Sequence, residues 1–179
     1  MPDTVAFLRS INVGGRRVTN DALRAAAEGA GFSGVSTYRA SGNLLLSIGT
    51  DLTGVRPRLE AGLQAALGFT VPTILRSAAQ VDALLGHAPF PPEVVAQTAG
   101  KLQVMLLSEP PGPDARERAL ALAPADDRLA FFAGDLFWLP RAGISTSELE
   151  PSKLGRVLGL NTVRTVGTIA GIAKKLRAG

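Results

Sequence analysis

Apolar residues along this chain come in short runs, and their spacing predicts which runs are strands and which are helices. Thr4–Ile11 is a brief run rich in β-formers, stopped by Asn12-Val13-Gly14-Gly15; it predicts a buried strand ending in a tight loop. Ala22, Leu23, Ala26, Ala27 and Ala30 then recur at helical spacing, with Thr19 or Asn20 placed to cap the helix and Gly31 to close it. Val35–Ala40 and Leu44–Ile48 predict two strands about Ser41-Gly42-Asn43, where Gly and Asn tolerate the positive φ of a hairpin turn. Leu52, Val55, Leu59, Leu63, Ala66 and Leu67 mark an amphipathic helix ended by Gly68, and Phe69–Leu75 a further strand. The order is β-α-β-β-α-β, that of a ferredoxin-like unit. Taking the third strand as parallel to the first puts the 12–15 and 41–43 loops at opposite ends of the sheet.

The second half follows a related order with different residues. Ser77 caps a helix through Leu85, a proline-rich loop runs from His87 to Pro92, and the stretch to Gly100 has no clear period. Leu102–Leu107 predicts a strand, and Pro110-Pro111-Gly112-Pro113 opens a helix through Leu122. Leu129–Ala133 and Leu136–Leu139 predict a hairpin about Gly134-Asp135, and Leu149–Leu158 a helix with Pro151 in its first turn. Thr162–Leu176 is expected to be one terminal helix, weakened by β-branched residues and two glycines. The fold class is therefore α+β: two tandem ferredoxin-like (βαββαβ-type) subdomains, 1–76 and 77–179, the second irregular with a C-terminal helix. The joint falls within 76–100.

Composition narrows the chemistry. With 179 residues, 46% of them hydrophobic and 19% charged, the chain can bury a sizeable core as one domain or two small ones. Mean hydropathy is +0.20, yet no apolar run approaches the ~20 residues of a membrane helix, so no membrane partner is expected. There is no cysteine and one histidine, His87, which excludes disulfides, thiolate zinc, cysteine nucleophiles and any site needing two histidines. No metal or cofactor is expected. Met1-Pro2-Asp3-Thr4 has no basic segment, and Val5–Leu8 is too short for a signal sequence, so a cytoplasmic protein is expected.

The net charge of +4 is unevenly spread. Residues 77–152 carry ten acids against five bases; the preceding segment nets +3 and the last 27 residues, which contain no acid, net +6. Cations near a helix C-terminus complement its dipole, so part of the basic tail is ordinary helix chemistry. It contains no aromatic side chain on which a base could stack.

The strongest local chemistry is Arg9-Ser10-Ile11-Asn12-Val13-Gly14-Gly15-Arg16-Arg17, where a strand enters a Gly-Gly loop and then a helix. Glycines let successive amides point into one concavity, so Arg9, Ser10, Asn12, Gly14, Gly15, Arg16 and Arg17 form a candidate anion site. Its spacing matches neither the dinucleotide fingerprint nor the P-loop, and on spacing alone a tight strand–helix turn is the better account. Tyr38, Ser41, Asn43 and Arg164 are secondary candidates. His87, without a sequence-adjacent partner, is expected to be a loop residue without catalytic role. Asp126-Asp127 is expected to be a solvated loop, since adjacent residues diverge in direction. Phe131, Phe132, Phe137 and Trp138 are expected to be hairpin core. No nucleophile–base set is evident beyond Ser10, Tyr38, Ser41 and His87.

Phe7-Leu8-Arg9-Ser10-Ile11-Asn12-Val13-Gly14-Gly15, then Gly31-Phe32, then Thr37-Tyr38-Arg39-Ala40-Ser41-Gly42-Asn43 closely resemble the signature of the DUF1697 family. Members read LLRGINVGG, LGF and TYIQSGNV at this spacing. The resemblance implies two related α+β subdomains and no reaction, since the family's function is unknown. The C-terminal half departs from the pattern. Ser145-Thr146-Ser147-Glu148-Leu149 stands where members carry a GRSKL-like segment, and Thr165-Val166-Gly167 replaces an Asn-Trp-Asn triplet, while Thr162, Arg164 and Thr168 match. Three functions remain open: a module binding a phosphate-bearing ligand or nucleic acid through the arginine and Gly-Gly loop, an enzyme on a small phosphorylated or carboxylated metabolite, and an interaction protein assembling through sheet edges. The binding module is the preferred expectation, with no assignment of oligomeric state.

Overall fold

The computed structural model describes residues 1–39, 42–49 and 51–178. Among these residues lie eight strands and seven helices, the strands forming two four-stranded antiparallel sheets. The chain divides into two compact units, Met1–Asp82 with Gly171–Gly179, and Ala83–Ala170.

In the first unit the elements are β1 (Thr4–Leu8), α1 (Asn20–Gly29), β2 (Ser33–Thr37), β3 (Asn43–Ser47), α2 (Val55–Leu67) and β4 (Thr73–Ser77), with sheet order β2-β3-β1-β4. All five residues of β1 are buried. Alternation along β1 places Ala6 and Leu8 with Leu44 and Leu46 of β3 in one cluster, which Leu23 and Ala27 of α1 and Leu59 and Leu63 of α2 complete. Burying a leucine of this cluster fully contributes roughly 2 kcal/mol. Local signals set the helix ends. The Thr19 hydroxyl accepts from Ala22 N at 3.1 Å to start α1, and Gly68, at φ 80°, closes α2. Ser77 and Gln80 form a reciprocal cap at the start of α3 (Ala78–Gly86), 3.2 and 2.9 Å long.

The direction of β3 corrects the sequence reading. Thr4 pairs with Leu46 and Phe7 with Asn43, so β3 runs antiparallel to β1. A strand joined to β2 by a hairpin must oppose β2, and β2 runs with β1 because a helix returns the chain between them. The 12–15 loop and the 42–43 turn therefore share one end of the sheet.

The second unit repeats that strand order. Its elements are α4 (Pro92–Gln97), β5 (Gln103–Leu107), α5 (Pro113–Ala121), β6 (Arg128–Phe132), β7 (Asp135–Leu139), α6 (Pro151–Leu158) and β8 (Asn161–Thr165), with sheet order β6-β7-β5-β8. The segment expected to begin the terminal helix is β8: Asn161 pairs with Leu107 and Thr165 with Gln103. Thr162, Val163 and Thr165 are β-branched, and the open side of β5 supplies the hydrogen bonds that decide the matter. The helix proper, α7 (Val166–Ala178), starts where Thr165 Oγ1 accepts from Thr168 N at 3.0 Å. The second unit is thus no less regular than the first.

The β6–β7 turn is Ala133-Gly134, both at positive φ, one residue earlier than the spacing predicts. His87 stacks on Phe132 with ring centroids 3.8 Å apart and meets the Phe137 ring edge-on at 5.4 Å. Trp138 and Phe137 are buried as expected, while Phe131 and Phe132 are half-buried. Asp127 is no solvated residue. Its carboxylate accepts from the Trp138 indole at 2.9 Å, the Ser147 hydroxyl at 2.6 Å and Arg141 N at 3.1 Å, tying β7 to the loops on either side. Asp126 points elsewhere, to an exposed ion pair with Arg141 at 2.6 Å.

Two outcomes follow from these ties. At the start of β1, burial pushes the Asp3 carboxyl up, but hydrogen bonds from Ile48 N, Gly49 N and the Thr4 hydroxyl outweigh it and hold its pKa below the usual 3.8. Because the folded value is the lower one, this stabilisation is complete above the unfolded value and is lost as pH falls through the folded one. Urea denaturation against pH is expected to show Asp3→Asn about 0.5–1 kcal/mol less stable at neutral pH, a deficit that closes on acidification below about pH 4. Asp127→Ala is expected to cost about 1–3 kcal/mol, because it strands the buried Trp138 N–H. Trp138 is the sole tryptophan, so its emission reports the transition directly.

Candidate functional site

Antiparallel pairing gathers three loops at one end of the first unit's sheet. β1 ends there, β2 ends there opposite the start of β3 (Thr37 with Leu44), and β4 begins there (Leu8 with Thr73). Backbone bonds lace the loops together: Leu8 N donates to Gly42 O at 2.8 Å and Arg9 N to Pro72 O at 2.9 Å. Gly42 has φ +75°, and a Cβ there would lie 3.0 Å from Leu8 Cβ and 3.1 Å from Ile11 Cγ2. Conformation and close approach both require glycine at this position.

The arginine and Gly-Gly loop is closed from within. Asn12 Oδ1 accepts from Val18 N at 2.9 Å, making residues 12–18 a compact ring. Gly14 and Gly15 take positive φ inside it. Arg16 donates through Nε to Val13 O at 3.2 Å and lays its guanidinium 4.2 Å from the centre of the Phe69 ring. Asn12, Gly15, Arg16, Arg17, Val18, Thr19 and Asn20 line an open depression of about 560 Å³.

Charge at this end is predominantly basic. Arg9, Arg16, Arg17 and Arg39 all lie in its loops and all are exposed. Two acids lie nearby: Asp21 is taken by Arg24 at 2.7 Å, and Glu60 accepts from Thr73 N at 2.7 Å and from Arg56 Nε at 3.3 Å. Neither the Arg9 nor the Arg17 guanidinium has a carboxylate partner among the described residues. Backbone strain collects here as well: Ser10 at φ 56° and Arg39 at φ 59° are two of the three described non-glycine residues in the left-handed region.

The sequence candidates separate accordingly. Arg9, Ser10, Asn12, Gly14, Gly15, Arg16 and Arg17 share the loop, with Asn12 engaged in closing it and Arg16 in clamping it to Phe69. Asn43 is buried and donates through Nδ2 to Tyr38 O at 2.9 Å, holding the β2–β3 connection. The Tyr38 side chain packs on α7, where a Cβ at Gly171 would fall 1.8 Å from its hydroxyl, and takes no part in the depression. Ser41 lies outside the described residues. Arg164 belongs to the second unit, on β8, where it bonds Thr162 Oγ1 and Val163 O at 2.8 Å each and burial lowers its pKa to about 10. It remains a cation at neutral pH, held within its own strand.

Arg39 and Phe69 were not among the sequence candidates. Arg39 lies at the same sheet end with its guanidinium over the Tyr38 ring at 5.5 Å, and Phe69 lies under Arg16. Phe69 carried no signal of its own beyond following the Gly68 cap.

The family model described as "Protein of unknown function (DUF1697)" matches residues 1–137. No curated protein matches the chain. Among solved structures the chain is similar to the conserved bacterial protein SP0830 from Streptococcus pneumoniae, with a TM-score of 0.73 and 19% identity over 99% of both chains. At that identity the likeness shows the fold alone. The family match covers the first unit's sheet and most of the second's, and the chain belongs to the DUF1697 family.

Proposed function

We propose that this protein binds a phosphate-bearing ligand at the arginine-rich end of its first unit, with Arg9 and Arg17 as the charged contacts and Gly14 and Gly15 supplying backbone amides. The observation that supports this best is the convergence of four arginines on one sheet end whose nearby carboxylates, Asp21 and Glu60, already pair with Arg24 and Arg56. Such a surface attracts anions and has no internal counter-ion to displace first. Thr19 starts α1 beside the same depression, so the helix adds its partial positive charge. Residue types in the second unit favour the assignment by contrast: the corresponding β5–α5 connection reads Ser108-Glu109-Pro110-Pro111-Gly112, with an acid, two prolines and no arginine. On this reading each unit is a ferredoxin-like module, a view supported by its element order and by the strand orders β2-β3-β1-β4 and β6-β7-β5-β8.

The test is a titration of the full chain with pyrophosphate and with a labelled single-stranded oligonucleotide, between about 50 and 200 mM salt. Affinity is expected to fall as salt rises, and Arg9→Ala with Arg17→Ala to flatten the log–log slope for the oligonucleotide by about 1.5 units. Absence of binding at the lowest salt overturns the proposal.

A further inference from the structure

A second depression, of about 400 Å³, lies against the first and shares Arg16, Arg17, Val18 and Thr19 with it. Its other lining residues are Ala22, Ala66, Leu67 and Phe69, all apolar. The two depressions share these four residues and differ in the opposite wall, which is Asn12, Gly15 and Asn20 in the first and apolar in the second. A bare anion leaves the apolar wall of the second depression unused.

Arg16 lies in the wall they share, and its geometry selects among ligands with a charged end and an apolar one. A guanidinium is a flat cation with two faces. One face of Arg16 covers Phe69 at 4.2 Å, the Nε bond to Val13 O fixes its plane, and the side chain as a whole is exposed. A flat, electron-rich heterocycle stacks on such a plane as readily as on an aromatic ring. Phe69, Arg16 and the incoming ring would then form a three-layer stack, with a phosphate reaching Arg17 and Gly15 on the other side.

We infer that the ligand is a nucleoside monophosphate, its base stacked on Arg16 above Phe69 and its phosphate in the basin lined by Gly15 and Arg17. This rests on the phosphate-binding reading of the same loop and adds the base. A single nucleotide is favoured over a polymer because Phe69 is, among the described residues, the one aromatic side chain lining the two depressions, whereas surfaces that follow a strand present a series of them.

The experiment is calorimetric titration of the full chain at low salt with AMP, ribose 5-phosphate and a short oligonucleotide, repeated on Phe69→Leu and Arg16→Lys. AMP is expected to bind on the order of tenfold more tightly than ribose 5-phosphate, the gain stacking gives one base. Phe69→Leu keeps the apolar volume and removes the ring, so it is expected to erase most of that preference while ribose 5-phosphate affinity stays within about twofold. Arg16→Lys keeps the charge and removes the plane, and is expected to weaken AMP more than ribose 5-phosphate. Equal affinities for AMP and ribose 5-phosphate overturn the base assignment and leave phosphate binding standing. Binding of the oligonucleotide without AMP overturns it in favour of a polymer. No binding by any of the three overturns both readings.

Discussion

The arrangement depends on the placement of a single strand, β1, between two antiparallel neighbours. Its five residues are buried on both faces, so a shift of one position would exchange Ala6 and Leu8 with Val5 and Phe7 and turn the helix-facing cluster inside out. Register is thereby pinned against β3 through Thr4–Leu46 and against β4 through Thr4–Ser77. Once it is pinned, the exits of β1 and β2 and the entries of β3 and β4 must meet at one end. Gly42, Pro72 and Arg9 are then brought within backbone hydrogen-bonding distance, and the arginines follow.

The second unit uses the same scaffold for different ends. Arg76 on β4 pairs with Val5 and donates to Leu75 O; Arg164 on β8 pairs with Val104 and donates to Val163 O. Arg16 bonds Val13 O and covers Phe69, while Arg116 bonds Pro111 O and lies over Phe131 at 5.7 Å. These recurrences describe a repeated framework, in which an arginine clamps the first strand–helix connection to an aromatic ring. The differences carry the chemistry. The first strand–helix loop holds Gly14, Gly15 and Arg17 where its counterpart holds Glu109 and prolines. At the start of the third strand, Asn43 is matched by Asp135, whose buried carboxylate accepts from Leu107 N at 2.8 Å.

Charge segregation reads differently once the fold is known. The segment 77–152, which nets −5, spends several of its acids internally: Asp127 on Trp138 and Ser147, Asp135 on Leu107, Asp82 on Arg177, Asp126 on Arg141. The basic tail is likewise committed in part, through Arg164 within β8 and Arg177 to Asp82. The four arginines of the first unit's loops belong to a segment with a modest +3, and their concentration at one end is invisible to any count along the chain.

Sequence alone determined whatever short-range chemistry decides: helix starts at Thr19 and Ser77, the stop at Gly68, the apolar periods of α1 and α2, and the Gly-Gly loop with its arginines. Each depends on residues within a turn or two of one another. What remained for the tertiary structure was every question of partnership. β3 opposes β1 because the hairpin to β2 leaves no other direction, and residues 161–165 are strand because β5 offers an unpaired edge. Asp127 is a tie because Trp138 and Ser147, distant in sequence, arrive beside it. Phe69 joins the site for the same reason. Propensity and spacing are properties of a segment, whereas a hydrogen-bonding or stacking partner far along the chain exists only after the strands have paired.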